Sequence, residues 1–169
     1  MKLDRGEAIL FLAIKDMEAL GSGKREAIII DMLDGDISNL EDINDPKYNK
    51  LVIEWIAENY KGVSTKFLES EINSILMTKI SVSGEQEELE CCPCCNYKTI
   101  EERGQYTICR VCFWEDDGND DESKYSSVNR MYLKDAKKNF FKHGFINQSA
   151  KKFVDSRGKD KFVLCGSIR

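Results

Sequence analysis

The chain has 169 residues, 41% of them hydrophobic and 33% charged, with a formal net charge of −5 at pH 7. That balance describes one or two small globular domains and excludes a disordered chain. A single histidine among seven cysteines removes most nucleophile–histidine triads.

From Met1 to Leu20 the only compact apolar run, Ile9 to Ile14, is bounded by charges, so no secretory leader is expected. No stretch approaches the roughly 18 apolar residues of a membrane span. The expectation is a cytoplasmic protein with no membrane contact, where thiols stay reduced. In the same segment Ile9, Leu10, Leu12, Ala13, Met17 and Leu20 recur near three and four, which predicts a helix ending at Gly21 and Gly23. Ala27 to Leu33 predict a second, short apolar helix ended near Gly35, followed by a loop. Asp45-Pro46 places an acidic cap and a first-turn proline before a third helix, whose Leu51, Val52, Trp55 and Ile56 share a face and which Gly62 closes. Ser64-Thr65-Lys66 opens a fourth, with Phe67, Leu68, Ile72, Ile75 and Leu76 inward. A DNA-reading helix-turn-helix over 51–76 is disfavoured, because Glu69 and Glu71 face only Lys66 and phosphate-facing helices are basic. Residues 78–90 lose helical periodicity and turn acidic. The boundary is set there, giving a helical subdomain over 1–84 and a cysteine-rich domain over 85–169.

That second domain holds two CxxC pairs, Cys92 with Cys95 and Cys109 with Cys112. A two-residue gap lets both sulfurs of one tight turn reach a single ion, so four thiolates make a tetrahedral site at about 2.3 Å from a zinc ion. Cys91 and Cys94 share the spacing, but Asn96 after Cys95 tolerates left-handed φ better than Cys95 after Cys94, which favours the Cys92 and Cys95 register. Iron takes the same ligands, and sequence does not separate the two metals; softness and abundance favour zinc. A thioredoxin-like redox pair would need a helix start in a strand-helix-strand setting, which is absent. Between the pairs, Tyr97-Lys98-Thr99-Ile100 and Gln105-Tyr106-Thr107-Ile108 alternate around Glu101-Glu102-Arg103-Gly104, predicting a hairpin with one knuckle at each end. Such a zinc ribbon is too small to stand on its apolar core, and metal supplies the folding energy, roughly 10–16 kcal/mol in zinc-finger peptides.

The run from Cys92-Pro93-Cys94-Cys95-Asn96 to Gly104, then Tyr106-Thr-Ile-Cys109-Arg-Val-Cys112-Phe-Trp-Glu-Asp-Asp-Gly118, and the helix Leu133-Lys-Asp-Ala-Lys-Lys-Asn-Phe-Phe141 resemble the bacterial cysteine-rich CPCC domain, over roughly residues 90 to 145. Asn96 stands where that family usually has glycine, and Tyr132 where a serine cap would be expected. The resemblance implies an all-helical region in front and a setting near bacterial toxin genes, hence an immunity or antitoxin role.

Charge is polarised. Residues 85–122 hold 12 acidic and 3 basic side chains, and residues 123–169 hold 3 acidic and 12 basic. Glu115, Asp116, Asp117, Asp120, Asp121 and Glu122 form an acidic loop that fails the EF-hand pattern, since Asp121 stands sixth from Asp116 where glycine is required. It reads either as a solvated loop neutralised by the protein's own basic helix or as a docking surface for a basic protein, such as the phosphate-binding face of a nuclease toxin. Lys134, Lys137, Lys138 and Lys142 share a helix with Leu133, Ala136, Phe140 and Phe141, where nucleic-acid contact competes with core packing. His143 before Gly144 suits a helix C-terminus. Cys165, in the closing strand-like run Phe162-Val163-Leu164, reads as a buried inert thiol.

Glu101 and Glu102 are turn residues rather than an acid-base pair, no phosphate loop or nucleophile elbow is present, and four thiolates leave a metal no open position. The expectation is therefore an α+β protein, with an all-helical amino-terminal subdomain, a zinc ribbon and a carboxy-terminal helix. It would be non-enzymatic and bind a protein partner, with a nucleic-acid-binding regulator as the alternative.

Overall fold

The computed structural model describes residues 1–35 and 42–166; the loop expected between the second and third helices lies largely outside them. The chain forms two compact units, Met1–Lys61 with Thr65–Gln86, and Gly62–Ser64 with Glu87–Arg169.

In the first unit a short strand, β1 (Lys2–Asp4), leads into helix α1 (Arg5–Glu18). The Asp4 carboxylate accepts from the Glu7 N–H at 2.9 Å while Glu7 accepts from the Asp4 N–H at 3.0 Å, so two orphan donors of the first turn are satisfied reciprocally. Ala8, Leu12 and Ala13 form the buried stripe of α1, which packs on α3 (Asn49–Glu58) and α4 (Thr65–Leu76). Helix α2 (Ser22–Met32) begins five residues before the expected Ala27. Its first turn lacks apolar periodicity, yet it is anchored by the buried Arg25, which donates to the Ile43 carbonyl at 2.6 Å and to Asn49 Oδ1 at 2.7 Å. Asp45 caps a single 3-10 turn, Pro46–Tyr48, ahead of α3 rather than the helix itself.

Phe67, Leu68 and Ile72 of α4 are buried, but Ile75 and Leu76 are each 41% exposed, against the inward placement expected. The chain turns away at Met77 with φ 52°, and a second strand, β2 (Ser81–Ser83), returns to pair in parallel with β1, Leu3 opposite Val82. Asn73 clamps that return, accepting from the Ile80 N–H at 2.6 Å and donating to the Ile80 carbonyl at 3.1 Å. This strand pair, inside a subdomain read as all-helical, had no sequence signal beyond three residues at each end.

The second unit is built from short ribbons. β3 (Glu90–Cys91) pairs antiparallel with β4 (Lys98–Ile100) across the first knuckle, and Ile108 bridges Glu115 across the second. The hairpin expected between 97–100 and 105–108 does not form. Each segment instead pairs with the one flanking its own CxxC turn. On the far side of β4 the Lys98 N–H donates to the Val163 carbonyl at 2.9 Å and the Cys165 N–H to Asn96 O at 2.8 Å, so the run 162–164 does lie strand-like beside the knuckle.

A further hairpin, β5 (Tyr125–Ser126) with β6 (Met131–Tyr132), leads into α5 (Leu133–His143). Tyr132 is an extended N-cap without a side-chain hydrogen bond. Leu133 and Ala136 are fully buried, and Gly144 closes α5 at φ 86° with its N–H on the Phe140 carbonyl at 2.8 Å. The chain then returns to the second knuckle, where the Ile146 N–H donates to Cys112 O at 3.0 Å. A final turn, α6 (Gly158–Lys161), rests there too: a Cβ on Gly158 would come within 3.3 Å of the Arg110 carbonyl oxygen.

Candidate metal centre

Both knuckles fold the same way. Asn96 N–H donates to Cys92 O at 2.9 Å, and Phe113 N–H to Cys109 O at 2.8 Å. The residue after each second cysteine is left-handed, Asn96 at φ 62° and Phe113 at φ 71°. Two such turns facing each other gather Cys92, Cys95, Cys109 and Cys112 so that all four sulfurs lie within 4.8 Å of one another. Cys92 Sγ is 3.7 Å from Cys112 Sγ, and Cys95 Sγ is 3.5 Å from Cys109 Sγ. A tetrahedron with vertices about 2.3 Å from its centre has edges of about 3.8 Å, so the pocket between these sulfurs fits one four-coordinate metal ion.

The quartet is enclosed: exposure is 1% at Cys92, 5% at Cys95 and nil at Cys109 and Cys112. Burial opposes ionisation of Cys109, but hydrogen bonds from Cys112, Cys92, Cys95 and the Thr99 hydroxyl outweigh it and hold that thiol well below its ordinary range. Cys112 is pushed well up by burial and by Cys109, and Cys95 is pushed up chiefly by Cys109. Four thiolates at this spacing would share one cation between them. Thr99 Oγ1 lies 3.0 Å from Cys109 Sγ, and the Val111 N–H donates to the same sulfur at 3.4 Å. Such outer hydrogen bonds orient a metal-bound sulfur and spread its charge. Val111 was implicit in the CxxC turn, whose second N–H points back at the first sulfur; nothing in the sequence marked Thr99.

Cys91 and Cys94 stand outside the quartet. Cys94 is buried, and Cys91 is joined to Cys165 as a disulfide spanning 74 residues. Cys165 is therefore not the buried inert thiol expected; pairing of 163–165 along the first knuckle carries it to Cys91. His143 stacks on Phe145 with ring centroids 5.8 Å apart.

The acidic loop divides. Asp116 is wholly buried, its Oδ2 accepting from Arg103 Nε at 2.9 Å and from the Gly104 N–H at 2.7 Å. Arg103 also reaches Asp120 Oδ1 at 2.7 Å. Asp116 therefore belongs to the interior, not to an exterior docking face. Glu115 is held through its backbone by the Asn129 side chain, at 2.9 and 2.7 Å, a buried clamp that sequence reading missed. Glu122 pairs with Lys137 at 2.6 Å and Asp121 caps Ser123 at 2.9 Å. Asp120, Asp121 and Glu122 are exposed and Asp117 is half-buried.

Two knuckles closing four sulfurs, with short ribbons and a helix packed around them, define a cysteine-cluster domain able to hold a metal ion. Residues 90–161 match the family model described as Cysteine-rich CPCC, so this part of the chain is similar to that family. No curated protein and no solved structure matches the chain. None of the described helices is long and apolar enough to cross a membrane.

Proposed function

We propose that this protein is a non-enzymatic binding module whose second unit is a zinc ribbon, scaffolded by one zinc ion on Cys92, Cys95, Cys109 and Cys112. The observation that supports it is the enclosure of all four sulfurs, none more than 5% exposed. A four-thiolate ion so enclosed keeps no coordination place for water or substrate, so it contributes folding energy and leaves function to the exterior. Zinc rather than iron suits a purely structural role, being closed-shell and without redox chemistry.

On this reading the partner is a protein, a toxin domain with a basic surface, and the module neutralises it as an immunity protein. The toxin-gene setting implied by the family resemblance supports this, as does the acidic cluster of Asp117, Asp120, Asp121 and Glu122, which would accelerate encounter with a phosphate-binding face. Co-expression with the product of the adjacent gene tests it. Protection of the cells is expected, and its loss when Asp117, Asp120 and Asp121 are changed to lysine. Unprotected cells would remove the toxin-neutralising role, and full protection by the charge-reversed variant would remove the acidic face.

A further inference from the structure

Phe141 is 92% exposed, although it lies on a regular helix whose neighbours Leu133 and Ala136 are fully buried. At about 100° per residue, Leu133, Ala136 and Phe140 share the inward face of α5. Lys134, Lys137, Lys138, Phe141 and Lys142 share the outward one. Lys137, Lys138, Phe141 and Lys142 line a shallow open depression. Lys134 and Lys142 have no carboxylate partner among the described residues, while Lys137 pairs with Glu122 and Lys138 with Asp135 at 3.7 Å, both as surface contacts. Exposed pairs of this kind are worth about 0–1 kcal/mol and yield readily to another anion. At the start of the same helix, Tyr132 is 40% and Tyr125 52% exposed. Their rings meet edge to face at 5.3 Å, with Lys134 Nζ 5.1 Å from the Tyr132 ring centre.

We infer that the outer face of α5 is a binding surface for single-stranded nucleic acid, with Phe141 as a base-stacking platform and Lys134, Lys138 and Lys142 on the phosphates. The inference does not rest on the toxin-neutralising reading and concerns an oppositely charged face that adjoins the acidic one at the Glu122–Lys137 pair. Three physical points select this occupant. Lysines surrounding a lone exposed ring supply phosphate attraction and a π-face together, the pairing that sequence-tolerant single-strand binding uses. A protein interface core is depleted in lysine and needs a broader apolar patch than one ring. A membrane-lying helix needs an apolar stripe in the lipid, whereas the apolar stripe of α5 is spent on the protein interior.

Fluorescence anisotropy of the full chain with labelled oligothymidine and oligouridine, titrated at several salt concentrations, tests this. Binding is expected, falling linearly on a log–log plot against salt. Phe141→Ala should weaken it by roughly 5- to 150-fold. Changing Lys134, Lys138 and Lys142 together to glutamine should lower the salt slope by about 2, from about 0.7 per phosphate on a single strand. Because Phe141 is almost wholly in solvent, circular dichroism of its alanine variant should match the wild type. Absence of binding at low salt overturns the inference. So does binding that ignores Phe141→Ala, or equal retention of polyglutamate, which would reduce the face to a general polyanion attractor. Capture by phosphatidylserine vesicles without capture of either oligonucleotide would also overturn it.

Discussion

Asn96 and Phe113 hold the same place in the two knuckles, each directly after the second cysteine and each left-handed, at φ 62° and 71°. An L-residue other than glycine or asparagine resists that conformation by about 1–2 kcal/mol. Asn96→Val should therefore destabilise the second unit by about 1–2 kcal/mol in urea denaturation, while Asn96→Gly should fall within about 0.5 kcal/mol of wild type. Phe113 bears the strain against a stacking contact with Phe153, ring centroids 5.0 Å apart. Its replacement by glycine should bring little gain, because relief of the backbone is offset by loss of the ring.

Elemental analysis should find one zinc per chain. Cys95→Ser should lose it together with the cooperative unfolding of the second unit, since three remaining thiolates close no tetrahedron. Cys94→Ser should keep it, because Cys94 lies outside the quartet. Loss of the metal in the Cys94 variant alone would move the ligand set to the neighbouring register.

Among the described residues, removing Arg103 would leave the fully buried Asp116 carboxylate with only the Gly104 N–H, its Oδ1 already lacking a partner. Arg103→Ala should cost about 3 kcal/mol or more at neutral pH, as breaking one side of a buried pair does. Equilibrium denaturation of the metal-loaded protein measures this, and a cost under about 1 kcal/mol would show that water reaches Asp116.

Two features of the sequence explain how far the site was legible in it. The CxxC spacing and the asparagine after Cys95 led to the four sulfurs, because a knuckle is a local structure whose geometry two residues of spacing nearly determine. The acidic run led to a surface in which Asp116 does not belong. Charge alone does not reveal that an arginine 13 positions earlier would draw one carboxylate inward. The pairing of β1 with β2 and of Cys91 with Cys165 depends on contacts 79 and 74 residues apart, and short segments carry no periodicity from which such partners can be read. The same limit explains the misplaced hairpin: both strands were seen, but their alternation was equally compatible with pairing across the knuckles.

The Cys91–Cys165 bond closes a long loop, and cross-links over that span restrict the unfolded chain by up to about 4 kcal/mol. Cys165→Ser should lower stability under oxidising conditions by about 2–4 kcal/mol and have little effect in excess reductant. Differential alkylation before and after reduction, read by mass spectrometry, checks the pairing. Cys91 and Cys165 both alkylated before reduction would contradict it.

The Asp155 carboxyl is opposed by burial but held below its ordinary range by Lys161, 2.5 Å away, and by the Arg157 N–H. A depressed carboxyl contributes stability above its unfolded value of about 3.8 and loses it as pH falls through the lower folded value. Asp155→Asn should therefore melt at a lower temperature than wild type at pH 7, and the gap should close in strong acid. A gap that widens on acidification would reverse the sign.

Trp114, two residues after Cys112, is entirely out of solvent and its indole Nε1 has no hydrogen-bond partner among the described residues, whereas Trp55 in the helical unit donates to Asp31 at 3.2 Å. The chain thus carries one tryptophan in each unit, in unlike surroundings. With Trp55 replaced by phenylalanine, the emission wavelength of Trp114 alone would follow how tightly the cysteine cluster is sealed, without any label. Melting of the cysteine-cluster unit can then be followed while only that unit is observed.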